Sequence, residues 1–125
     1  MDQGRNEGIS MSGGRIEAGA LAVGRGARAT NVVEAAGQTL TGRGQAELAD
    51  RLADLVRQLE AHASRLDNAD ELRETTEAVA TELAKDKPNR ITVTGLLDGL
   101  ARGVGSVAGL TTAVQALAQA AIAIL

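Results

Sequence analysis

Gly24-x-Gly26-x-x-Ala29, following the apolar residues Leu21 and Val23, has the outline of a dinucleotide-binding turn. Such a turn needs a helix N-terminus to receive a pyrophosphate and a second parallel strand carrying a ribose-binding acid. The downstream stretch "TNVVEAAGQTL" supplies no clear second strand, so the fingerprint is incomplete. A Walker-type phosphate loop fails as well. Gly19 and Gly24 are correctly spaced, but Arg25-Gly26 stand where Lys-Ser/Thr is required. "GISMSGG" is not a nucleophile elbow, because Ser12 occupies the position of the last glycine. The single histidine, His62, falls on the apolar side of a helical pattern and reads as a packed or hydrogen-bonded residue rather than a general base. Glu71, Glu74, Glu77 and Glu82 read as the solvated face of a helix, not as an acid/base pair or a metal site. No catalytic residue, metal ligand or cofactor is therefore expected, and the chain is expected not to be an enzyme.

Composition narrows the remaining classes. The chain has 125 residues, which suits one domain with a modest core. It contains no Phe, Tyr or Trp, so its core must come from Leu, Val, Ile and Ala in close helix contact. The same lack removes the flat surfaces on which bases stack, and a net charge of −3 offers no general attraction to phosphate backbones. Nucleic acid is not an expected partner. There is no Cys for disulfides or thiolate chemistry. The opening "MDQGRNEGIS" has no apolar signal region, so the expected location is the cytoplasm.

Glycine divides the chain into three. Ten of the fifteen glycines precede Gln45, none lies between Gln45 and Thr94, and five fall between Gly95 and Gly109. Residues 1–14 are polar and glycine-rich and are expected to form a flexible arm. Residues 15–43 alternate in a way that predicts a small β element, with Leu21 and Val23 in strands and Gly24 and Gly26 at turns. So little apolar area would need another surface to stack on. Residues 44–125 are expected to form an α-helical bundle.

Within that bundle, Leu48, Leu52, Leu55, Leu59, His62 and Leu66 share one helical face, and Glu47 and Arg51 form an i,i+4 pair. Asn68 and Glu71 have the spacing of a capping box that opens a second helix, with Leu72, Thr76, Val79 and Leu83 on its inner face. Pro88 ends that helix at about Lys85. The short turn between the two helices predicts an antiparallel hairpin. Beyond it, Val93, Leu96, Leu100, Gly103, Val107, Leu110, Val114, Leu117, Ala121 and Ile124 alternate steps of three and four. This predicts one long C-terminal helix, gently broken near 103–106, although the β-branched "ITVT" could make its first turn extended.

The 23 residues from Gly103 to Leu125 carry no charge, about the length needed to cross a bilayer. Thr112, Gln115 and Gln119, opposite the apolar stripe, favour a helix in a soluble bundle, and a membrane-associated tail over 103–125 stands as the alternative. Under either reading a helix with no charge is poorly suited to full exposure.

"GALAVGRGARAT" at 19–30 and "PNRITVTGLLDGLARGVGSVAGLTTAVQAL" at 88–117 resemble segments of small actinobacterial proteins in which a glycine-punctuated strand motif precedes Ala-rich C-terminal helices. The resemblance implies an accessory component of a bacterial conflict or signalling system. The first stretch also resembles trimeric-adhesin head repeats, which need tandem copies. It resembles the β-arch of amyloid-type signalling motifs too, from which Arg25 and Arg28 depart because stacked charges repel.

The expected fold is mainly α: a helical hairpin plus a long C-terminal helix in a three- to four-helix bundle, with the β element and arm in front. The expected function is a non-enzymatic protein–protein interaction or oligomerisation module. Its interaction face would be Val93, Leu96, Leu100, Val107, Leu110, Val114, Leu117 and Ile124, and its partner a second copy or a larger protein. A small membrane-active or tail-inserted effector using 103–125 is the alternative.

Overall fold

A computed structural model describes the backbone of residues 18–125 apart from Ser106, and side chains from Gly26 onward with the same exception. The arm expected over 1–14 lies outside the described residues. The described residues form five α-helices: α1, Ala18–Gly42; α2, Ala46–His62; α3, Ala69–Ala84; α4, Arg90–Gly103; and α5, Ala108–Ile124. A single 3₁₀ turn, Ala63–Arg65, follows α2.

One pattern organises all five helices. Each buries four residues at intervals of four, three and four: Ala29, Val33, Ala36 and Leu40 in α1, and Leu48, Leu52, Leu55 and Leu59 in α2. Leu72, Thr76, Val79 and Leu83 follow in α3, then Val93, Leu97, Leu100 and Val104 through the end of α4, and Leu110, Val114, Leu117 and Ala121 in α5. Such a row holds one side of a helix against its neighbours over three turns. Thr76 is the polar member, and its hydroxyl donates to the Leu72 carbonyl at 2.8 Å, which removes the cost of an unpaired buried group.

The helices alternate in direction. Gly26 faces Glu60 and Gly37 faces Ala49, which sets α1 antiparallel to α2. Arg28 meets Glu77 while Arg43 reaches the carbonyls of Leu83 and Ala84, so α1 and α3 run parallel. α1 packs chiefly against α2 and α3; α4 covers α3, and α5 covers α2. Consequently α2 and α3 meet each other less than they meet α1, and the expected two-helix hairpin is a three-helix layer.

The β element is corrected. Residues 18–42 are helical, including the backbone at Leu21, Val23, Gly24 and Gly26. Alanine is the strongest helix former, and the Ala29–Leu40 row gives the segment a buried face that outweighs its glycines. At Gly26 a methyl group would lie 2.8 Å from Glu60 Oε1, so the missing side chain makes room for that carboxylate. The bundle therefore begins within α1 rather than at residue 44.

The long C-terminal helix is corrected as well. α4 ends at Gly103, Val104 tucks into the core, and Gly105 adopts φ +59° before α5 starts. That left-handed conformation is costly for residues with a Cβ and ends the helix. Gly103 lies so close to α3 that a methyl group there would come within 2.6 Å of Leu72 Cδ2. Ile91–Thr94 are helical, with Asn89 as N-cap accepting from Thr92 N at 2.9 Å. No helix among the described residues is long and apolar enough to cross a membrane.

These glycines make opposite predictions. Gly99 is exposed, helical and free of neighbours within 4 Å of an added methyl, so Gly99→Ala raises stability by about 0.5–1 kcal/mol. Gly105→Ala lowers it by about 1–2 kcal/mol because of its positive φ. Urea unfolding followed by circular dichroism measures both, and equal effects at the two positions would refute the assignment of the turn.

Candidate interaction surface

Outside their buried rows, α1 to α4 expose charged residues such as Arg28, Glu47, Glu74 and Arg102. α5 exposes none. Its outward row is Ala108, Thr112, Gln115, Gln119 and Ile122, at helical spacing opposite the core row. The large exposed hydrophobic residues among those described are Ile91 at 83%, Ile122 at 46% and Ile124 at 41% exposure. α4 and α5 run antiparallel, so the start of α4 and the end of α5 share one end of the bundle and all three isoleucines lie there. A shallow groove of about 350 Å³ adjoins Ile124, lined otherwise by Glu47, Leu48 and Arg51 of α2 and by Ala116 and Ala120 of α5.

Polar clamps fix this hairpin. At its turn, Asn68 Nδ2 donates to the Gly103 carbonyl at 2.9 Å, satisfying an open acceptor at the end of α4. The capping box expected from Asn68 and Glu71 is thus not formed: Asn68 is the N-cap of α3, but its side chain makes no cap bond. Gly109 lets α5 approach α2, because a methyl there would lie 3.1 Å from Gln58 Oε1 and 3.6 Å from His62 Cε1. His62 is half-buried with Nδ1 2.9 Å from the Gln58 carbonyl; a carbonyl only accepts, so Nδ1 carries the proton.

At the opposite end Glu82, only 8% exposed, accepts from Asn89 N and from Lys85 Nζ, both at 2.9 Å. The Asn89 backbone bond, then the Lys85 ammonium, hold its carboxyl below the ordinary glutamate value against the opposing effect of burial. Arg43 closes the same end by donating to Leu83 O at 3.2 Å and Ala84 O at 2.6 Å.

A second, charged groove of about 680 Å³ runs along α3 beside Arg28. Arg73 spans it, donating two bonds to Glu60 at 2.8 and 2.9 Å and one to Asp70 at 2.8 Å. The Glu60 bonds, above all, raise its guanidinium pKa further, beyond the cost of desolvation. Arg28 pairs with Glu77 at 3.2 Å. These bidentate and bridging pairs tie α1, α2 and α3 together. No group of three or more His, Cys, Asp or Glu side chains among the described residues could hold a metal ion.

The acids expected to form one solvated face therefore divide. Glu71 and Glu74 are exposed, whereas Glu77 is half-buried in an ion pair and Glu82 is buried. The expected interaction face also divides. Val93, Leu100, Leu110, Val114 and Leu117 lie in the chain's own core, Leu96 and Val107 pack on its edge, and only Ile124 is exposed. The heptad stripe is thus used within the molecule, and the side of α5 that faces solvent is its reverse side. Thr112, Gln115 and Gln119 marked that side in the sequence as the polar positions opposite the stripe. The Glu60–Arg73 pair and the Arg43 contacts gave no signal, because they join residues distant in sequence.

No family model matches the chain, and neither does any curated protein or solved structure.

The Glu82 clamp yields a pH prediction. A lowered folded-state pKa stabilises the fold above pH 4.5, the ordinary value, and that stabilisation fades as the pH falls through the lowered one. Glu82→Gln should therefore melt below the wild type near neutrality, with the gap closing on acidification. A gap in melting temperature that stays constant across this range would show that the carboxylate charge is not what holds α4 to α3.

Proposed function

We propose that this protein is a non-enzymatic interaction module that self-associates through the outer surface of its C-terminal hairpin. One observation carries the reading: α5 presents a charge-free face to solvent, with the three exposed isoleucines at one end of the same hairpin. Exposed apolar area of this kind gains free energy when a protein partner covers it, and the depletion of charge is what the centre of an interface requires. The accessory role in a bacterial conflict or signalling system belongs to this proposal only through the resemblance of the 19–30 and 88–117 segments.

Size-exclusion chromatography with light scattering tests self-association. The mass should rise with concentration from one chain toward a small multiple, and added salt should not reverse the rise, since no charge pair drives it. A single-chain mass at every concentration would overturn self-association.

A further inference from the structure

We draw no further inference here: the strongest candidate, the surface patch at the start of α4 where Ile91 stands exposed beside Lys87 and Arg90, carries nothing because nothing in the structure shows what covers it.

Discussion

Without aromatic rings, this protein must fill its interior with Leu, Val and Ala, and that constraint shapes the rest of the structure. Small side chains give adequate density only where helices approach closely and mesh along a regular row. The repeated four-three-four burial in all five helices is the outcome. Ala29, Ala36, Ala80, Ala113 and Ala121 are buried beside the leucines, where larger residues would force the helices apart. Gly26, Gly103 and Gly109 extend the same logic, each removing a side chain where another helix presses in.

Close packing of thin helices leaves their ends exposed to unfolding, because terminal N–H and C=O groups have no partner within the helix. Several polar side chains that are not simply solvated act there. Asn68 holds the end of α4, Arg43 the end of α3, and Glu82 the approach to α4. Arg73 with Glu60 ties α2 to α3, which touch little otherwise. Partial burial makes such pairs more effective than open surface ion pairs like Glu47–Arg51, whose 3.6 Å separation lies in water.

The sequence foretold α2 and α3 because their leucine rows lack glycine and their ends carry turn signals. It misled over 18–42, where Ala29, Val33, Ala36 and Leu40 already held the helical row. Alternation among the glycines and arginines nearer the N-terminus obscured it. The end clamps were not legible, since nothing local joins Asn68 to Gly103 or Arg43 to Ala84. Exposure of the α5 reverse face was partly legible from Thr112, Gln115 and Gln119. That Ile122 belonged with them depended on knowing which residues the core had taken.

The C-terminal segment shows why unbroken periodicity does not establish an unbroken helix. The residues from Val93 to Ile124 keep steps of three and four through the glycines, yet the chain reverses at 104–107. The buried residues follow another series. α4 buries Leu97 and Val104 where the heptad reading placed Leu96 and Gly103, and α5 restarts at Leu110. Two adjacent leucines at 96 and 97 allow either phase, so the apparent continuity came from choosing the one that bridged the turn. The fold takes the other: Gly103 passes so close to Leu72 that a side chain there has no room, and Val104 is the residue buried in the core. Once the helix is cut there, α5 buries only one side and cannot serve as a central rod. It becomes the outer wall of the bundle, and its uncharged reverse side becomes surface.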